Sequence, residues 1–210
     1  MYINKKLKKK TFNKILLQTE DDDKDDNIDN DYTKSIKKIN NKIYFYEDID
    51  TESILHLKEL IHELHEELVI SSLKYNFKPI IELRINSNGG EVFAGLDAYN
   101  FIKNFPIQID TYVEGFLASA ASFIYLAGKR RYIYENSYIL IHQLSDCNWG
   151  SYSILEDEMN NNKKIMDQIT YTYQTYSNLP KKKIKEILKN ELYLDSKECI
   201  EYKISTDLIS

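Results

Sequence analysis

The chain has 210 residues, of which 42% are hydrophobic, and this is enough apolar material for one ordinary domain with a sizeable core. Its net charge of −5 provides no general attraction to nucleic acid or anionic membranes, and no apolar stretch approaches the roughly 20 residues of a membrane span. The only cysteines, Cys147 and Cys199, have no metal-ligand spacing, which argues against a disulfide framework or a thiolate zinc site and favours the cytoplasm.

The N-terminal segment differs in composition from the rest of the chain. Residues 5–10 are nearly all basic and residues 20–31 are mostly acidic, so residues 1–40 are predicted to form a disordered or weakly ordered charged extension before a domain at 41–210. Residues 1–18 are basic and lack acids, as organelle transit peptides do, but they contain lysine in place of arginine and no serine. A targeting role is therefore the alternative to a plain tail.

In the first half of the domain, apolar spacing predicts strands that alternate with helices. Residues 43–46 and 79–86 read as strands, and Ile54, Leu57, Ile61, Leu64 and Leu68 mark one face of a helix that Asp50 or Thr51 caps. Residues 87–90 form a glycine turn, and residues 91–104 can form a helix. The pattern of strand, glycine turn and helix indicates an α/β domain.

The second half continues this alternation and then becomes mainly helical. Residues 107–113 predict a strand, residues 119–126 a compact helix, and residues 138–141 a strand that ends at His142. A long helix is predicted from Ser151 to about residue 176, Pro180 opens another, and Asp195 with Glu198 forms a capping box for the last.

One group of histidines has the composition of a metal site but not its spacing. His62 and His65 enclose a glutamate, yet they are three residues apart, whereas a zinc protease helix needs a spacing of four to place both rings on one face. No metal site is therefore predicted.

Three other features together suggest acyl transfer by an activated serine. Gly89 and Gly90 allow backbone N–H groups to approach a substrate, and Ser119 lies in a run of small residues at a helix start. His142 follows at the end of an apolar strand. Each feature alone has an ordinary structural explanation, as a turn, a packing contact or a core histidine, but the set contains a nucleophile, a base and oxyanion donors.

Four short motifs follow one another along the chain: Asn86-Ser87-Asn88-Gly89-Gly90, Gly115-x-x-Ala118-Ser119, Ala127-Gly128 and Ile141-His142-Gln143, with a closing segment around Glu198 to Tyr202. In this order and with these gaps, they resemble the motifs of the ClpP family, the proteolytic subunits of Clp protease. The similarity extends from about residue 32 to residue 208. It implies an α/β fold of the ClpP/crotonase type, with repeated ββα units and a long helix in the C-terminal half that pairs rings.

Carried to matching positions, the resemblance implies that Ser119 is the nucleophile and His142 the general base, with an oxyanion hole formed by the N–H groups of Gly90 and Ala120. The third member would be Glu191, where the family has an aspartate. Asp195 is the alternative acid, although it is better placed as a helix cap. The chain also has Ala120, Asn88 and Lys203 where the family often has methionine, proline and glycine.

The resemblance further implies a serine endopeptidase in a homo- or hetero-heptameric ring, with two rings stacked. An AAA+ Clp ATPase would supply unfolded polypeptide substrates and use the ATP, so no cofactor is expected on this chain, which has no P-loop motif. Two alternatives remain open at this point. One is a ClpP-like structural subunit that cuts poorly, and the other is an acyl-CoA enzyme of the related crotonase fold.

Overall fold

The structure is a computed structural model that describes residues 35–210. The predicted targeting segment and most of the predicted charged extension lie outside these residues. The predicted domain boundary at residue 40 needs correction, because strand β1 (Ile36–Ile39) pairs antiparallel with β2 (Lys42–Phe45) and Ile36 is buried. Residues 36–39 thus belong to the domain. Their lysines belong to an Ile-Lys-Lys-Ile strand, which the basic composition of the region obscures.

Six helices and six further strands follow in the described part of the chain. The helices are α1 (Thr51–Tyr75), α2 (Val92–Lys103), α3 (Ala121–Ala127), α4 (Tyr152–Tyr176), α5 (Lys181–Asn190) and α6 (Ser196–Glu201). The strands are β3 (Ile80–Ser87), β4 (Gln108–Ala118), β5 (Arg131–Tyr134), β6 (Tyr138–Leu140), β7 (Tyr193–Asp195) and β8 (Asp207–Ile209).

The strands form one mixed sheet in the order β1-β2-β3-β4-β5-β8. Pairing is parallel from β2 through to β8. The two halves of β4 have different partners, because residues 111–113 pair with β5 while residues 116–118 pair with β6. β7 then pairs antiparallel with β6. Strand β6 therefore lies beside the last residues of β4, next to the segment that carries Ser119.

The core lies between this sheet and helices α1 to α3. The predicted apolar face of α1 is confirmed at Ile54, Leu57, Ile61 and Leu64, which are buried, whereas Leu68 is half-buried. Asp50 caps this helix, since its side chain accepts the Ser53 N–H. Every residue of α3 is buried, and the helix packs against α2 and β4. Helix α3 therefore lies at the centre of the domain.

Several boundaries differ from those predicted. β4 continues through Gly115 to Ala118, and α3 begins two residues after Ser119. β6 ends two residues before His142, and Pro180 precedes the first turn of α5. β5 and β8 were not predicted. Within residues 35–210, no helix combines the length and the apolarity that crossing a bilayer requires.

Candidate active site

Ser119 lies in a sharp turn between a strand and a helix. β4 ends at Ala118, α3 begins at Ala121, and Ser119 between them has a φ of +54°, in the left-handed region. A residue with a side chain adopts such a conformation at a cost of about 1–3 kcal/mol, so surrounding contacts must hold it. One of these contacts is the hydrogen bond from the Ser119 N–H to the Leu140 carbonyl at 2.9 Å, which ties the turn to β6.

The glycine turn after β3 lies against this serine. A methyl group added to Gly89 would be 2.6 Å from the Ser119 Cβ and 3.0 Å from the Ala120 nitrogen. Gly89 also has a φ of +90°, which glycine adopts without strain. Glycine is therefore required at this position both by its backbone conformation and by the closeness of the nucleophile.

The amides of Gly90 and Ala120 are both free to donate. The Ile49 N–H donates to the Gly89 carbonyl, and the Ile49 carbonyl accepts the Glu91 N–H, each at 2.8 Å. In such a parallel bridge, the middle residue, Gly90, directs its own N–H away from the bridge partner. Across residues 35–210, neither the Gly90 N–H nor the Ala120 N–H donates to a protein acceptor. Both donors therefore suit an oxyanion formed near Ser119.

His142 has the tautomer that a general base requires. Its Nδ1 lies 2.7 Å from the Gln143 carbonyl. Because a carbonyl only accepts, Nδ1 carries the hydrogen in the neutral ring and Nε2 is the basic nitrogen. The Gln143 N–H donates to the Leu188 carbonyl at 2.8 Å, so this segment is tied to α5.

The predicted nucleophile, base and oxyanion donors line one small pocket. Ser119, His142, Gly90 and Ala120 all contribute to its wall, and its volume is about 100 Å³. Its apolar wall is formed by Val92, Phe123, Leu144, Ile169 and Tyr173. A larger cavity of about 690 Å³ shares Gly90, Val92, Leu144 and Ser145 with it and extends toward α4. The two spaces adjoin and form one groove beside Ser119.

Neither predicted acid lines this pocket. Glu191 follows α5, is exposed, has a left-handed φ of +50°, and makes no hydrogen bond within the described residues. Asp195 accepts the Glu198 N–H at 2.8 Å, and the Glu198 side chain accepts the Asp195 N–H. The predicted capping box is therefore confirmed, and the Asp195 carboxylate is engaged at the start of α6.

Two residues near Ser119 make a hydrogen-bonded link to it that the sequence analysis did not predict. The Ser122 hydroxyl donates to the Ser119 carbonyl at 2.6 Å, and Tyr173 on α4 lies 2.5 Å from that hydroxyl. The three-residue separation of Ser119 and Ser122 is a signal for such a local bond, since serine often bonds the carbonyl one turn earlier. Tyr173 is 51 residues away and gives no local signal.

The histidines of α1 have a packing role. His62 and His65 contact the Phe105 ring edge-on, with centroid distances of 5.4 and 5.3 Å. Among residues 35–210, no group of three or more histidine, cysteine or acidic side chains is arranged to hold a metal ion.

The chain is similar to known proteins over most of the described domain. The family model described as Clp protease matches residues 37–209. A relative from Carsonella ruddii, named ATP-dependent Clp protease proteolytic subunit, is 31% identical over 75% of this chain and 84% of its own. A protein of the same name from Deinococcus radiodurans is 28% identical over 61% of this chain and 64% of its own, so the match spans less than two thirds of that relative.

A solved structure confirms the predicted fold class. A ClpP1 mutant from Listeria monocytogenes superposes with a TM-score of 0.67 at 22% identity, covering 79% of this chain and 88% of its own. The resemblance found in the sequence motifs is confirmed by the family match over nearly the whole described domain. The chain therefore belongs to the Clp protease family, a family of peptidases.

Proposed function

We propose that the chain is a proteolytic subunit of an ATP-dependent Clp protease and cuts peptide bonds as a serine endopeptidase. The Ser119 hydroxyl attacks the peptide carbonyl while Nε2 of His142 takes its proton. The N–H groups of Gly90 and Ala120 donate to the oxyanion. His142 returns the proton to the leaving amine, and water then hydrolyses the acyl-enzyme. The reaction needs no cofactor on this chain.

The observation that carries this proposal is the shared pocket. It contains a serine in a strained turn, a histidine with a basic Nε2, and two amides that have no protein acceptor within residues 35–210. A simple packing turn would not need two free amides beside a hydroxyl. The adjoining groove supports a polypeptide substrate, because it is far larger than the space around the serine.

We propose Glu191 as the acid that orients His142, and the register of β6 and β7 supports it over Asp195. In this antiparallel ladder Leu140 pairs with Tyr193, and Tyr138 pairs with Asp195. Two more residues of the same ladder would put His142 directly opposite Glu191, with Cβ atoms about 4.5–5.5 Å apart. The ladder ends earlier here, since Glu191 has a left-handed φ. Rotation of Glu191 into extended backbone is thus the change that the proposal requires.

We further propose a heptameric ring, with two rings stacked through α4, and an AAA+ ATPase that supplies unfolded chains. Large apolar side chains are exposed just before α4 and in its first half: Trp149 is 96%, Tyr152 81% and Met159 70% exposed. Exposed apolar side chains in one region support a contact surface with another subunit. The relatives' names support the ATPase partner, since both are described as ATP-dependent.

A second function is favoured by a specific observation. The Glu191 carboxylate lies outside the pocket, and the Gln143 carbonyl has the place beside Nδ1 that an acid would take. A subunit fixed in this arrangement would bind its neighbours in a mixed ring and cut poorly.

Labelling with a fluorophosphonate probe tests the proposal. The purified full chain is treated with the probe, the modified residue is identified by mass spectrometry, and hydrolysis of a fluorogenic peptide is measured in parallel. We expect Ser119→Ala to abolish labelling and to lower kcat by about 10⁴-fold or more, because it removes the nucleophile. Ser71→Ala, on α1 outside the pocket, is the control and should keep both activities.

Persistent labelling or unchanged hydrolysis in Ser119→Ala would reject Ser119 as the nucleophile. An assembled ring that neither reacts with the probe nor hydrolyses the peptide would favour the structural subunit. The next protein to measure would then be Glu191→Asp.

A further inference from the structure

Two buried hydroxyl groups link helix α4 to the backbone of Ser119. Tyr173 on α4 is 2% exposed, and Ser122 on α3 is 1% exposed. The Tyr173 Oη lies 2.5 Å from the Ser122 Oγ, which lies 2.6 Å from the Ser119 carbonyl oxygen. The same carbonyl accepts the Ser122 N–H at 3.0 Å. Neither hydroxyl has a part in the reaction proposed above.

The direction of these hydrogen bonds follows from the number of protons. The Ser119 carbonyl can only accept, so the Ser122 hydroxyl uses its single hydrogen there. Tyr173 must therefore be the donor to the Ser122 oxygen. Burial raises the pKa of Tyr173, and its hydrogen bond with Ser122 only partly offsets this, so the phenol keeps its proton at neutral pH. Donation in one direction makes each bond in such a chain strengthen the next.

These bonds act on the peptide group that supplies an oxyanion donor. The Ser119 carbonyl and the Ala120 N–H belong to one planar peptide and point in opposite directions. Because Ser122 holds the carbonyl on the side of α3, the Ala120 N–H faces away from that helix. The left-handed φ of Ser119 is intrinsically unfavourable, so hydrogen bonds must hold this orientation, and the Ser122 hydroxyl adds a side-chain bond to the backbone bond from the Ser122 N–H.

We propose that Ser122 and Tyr173 are positioning residues that fix the Ser119–Ala120 peptide, so that the Ala120 N–H points at the developing oxyanion. This inference rests on the proposed serine peptidase function. Tyr173 acts through Ser122 and has no contact with the reacting atoms in the proposed reaction. Through these residues α4 contributes to the oxyanion hole, although it supplies none of the reacting groups.

A second buried tyrosine, Tyr125 on α3, provides a matched control for Tyr173 on α4. The Tyr125 hydroxyl donates to the Ser205 hydroxyl at 2.7 Å, and both residues are buried. This pair has the same chemistry as Tyr173 and Ser122, but neither Tyr125 nor Ser205 lines the pocket. Loss of either tyrosine hydroxyl should therefore cost similar stability, and only one loss should affect the oxyanion donor.

The test compares Tyr173→Phe with Tyr125→Phe in peptide hydrolysis by the assembled full chain. We expect Tyr173→Phe to lower kcat about two- to tenfold with an unchanged KM, since one neutral hydrogen bond that orients the donor is lost. Ser122→Ala should lower kcat by about tenfold or more, and Ser122→Thr, which keeps the hydroxyl, should restore most of it. Tyr125→Phe should shift the thermal unfolding midpoint as Tyr173→Phe does, with kcat unchanged.

The proposal would be overturned if Tyr173→Phe lowered kcat no more than Tyr125→Phe, or if it changed KM alone. If Ser119→Ala leaves hydrolysis unchanged or the wild type is inactive, the proposed function has failed. Crystal structures of wild type and Ser122→Ala then test the positioning role without an activity measurement, because they show the orientation of the Ser119–Ala120 peptide directly. A rotated Ser119–Ala120 peptide in the variant supports the positioning role, and an unrotated peptide overturns it.

Discussion

The two halves of the proposed active site are built in different ways. Ser119 and Gly90 lie just after buried strands, where backbone hydrogen bonds and close contacts fix each position. His142 lies in an irregular segment that continues to residue 150, and Glu191 lies at the exposed end of α5. The positions of Ser119 and Gly90, the first half, are set by the backbone at the ends of two sheet strands. The positions of the His142 and Glu191 side chains, the second half, depend on segments outside the regular strands and helices.

Folding fixes the positions of the groups in the first half, whereas the groups in the second half can still move. The proposed nucleophile and oxyanion donors cannot move without disturbing the parallel sheet. The proposed acid, Glu191, would reach His142 if the β6–β7 ladder gained two residue pairs. Substitutions in the first half should therefore have large effects on kcat, and those in the second half should have graded ones.

After the loss of the Ser119 hydroxyl itself, the largest of these effects is expected at Gly90. A methyl group there would lie 2.1 Å from the Ile49 carbonyl oxygen, and the residue has a φ of +152°. Gly90→Ala must displace the turn, so the loss of this oxyanion donor should lower kcat by about 10²- to 10³-fold in peptide hydrolysis. Gly115→Ala is the control, because Gly115 has a similar φ of +151°, but its nearest contact is 3.7 Å away. Equal losses in the two variants would mean that backbone strain, and not the amide, explains the effect.

A smaller effect is expected at Glu191. The Gln143 carbonyl already holds the Nδ1 hydrogen of His142, so Glu191→Gln cannot reverse the tautomer. In the extended conformation proposed for Glu191, the substitution would weaken a hydrogen bond to the charged imidazolium, and such a bond is worth about 1.5–3 kcal/mol, or about 10- to 150-fold in kcat. Glu186→Gln, exposed on α5 and paired with Lys183 at 3.3 Å, is the control. A loss as large as that in Ser119→Ala would contradict the proposed difference between the halves, and no loss would exclude Glu191 from the mechanism.

The smallest effect is expected in the loop after His142. The Asp146 carboxylate accepts hydrogen bonds from the side chains of Asn162 and Asn148 and from the Cys147 N–H, and these keep its pKa below the usual 3.8. A lowered pKa means that the bonds favour the folded loop at neutral pH and are lost as the pH falls through the folded-state value.

Hydrogen exchange of residues 144–150, corrected for intrinsic rates, should therefore show a more open loop below about pH 4. Asp146→Asn should show this opening already at pH 7, whereas Asp157→Asn, on α4, should not. If the loop of Asp146→Asn exchanged as slowly as that of the wild type at pH 7, the tie between this loop and α4 would have no effect on its stability.

Local sequence patterns were sufficient to predict several helices and part of the proposed active site. The apolar spacing of Ile54, Leu57 and Ile61 predicted α1, because only one face of that helix is covered. The glycine turn and the serine at a helix start were recognisable since each has a local chemical requirement. The capping box of Asp195 and Glu198 was likewise readable from residues three apart.

The remaining features depend on contacts between distant residues. β5 and β8 have four and three residues and acquire their strand conformation by pairing with β4 and with each other, which no short window reveals. β4 continues past its predicted end because its second half gains β6 as a partner. Tyr173 was predicted only as part of a helix, since its role depends on Ser122, which lies 51 residues earlier.

The division of β4 between two partner strands also sets the order in which activity can arise during folding. The Ser119 turn is tied to Leu140, and the strand of Leu140 is in turn paired with β7 at Tyr193. Contacts of such long sequence separation form late, because the intervening loops must close first. A nascent chain that has not yet emerged beyond β7 therefore lacks part of the support for the Ser119 turn. The proposed peptidase activity would then arise only after nearly all of the described domain has been synthesised.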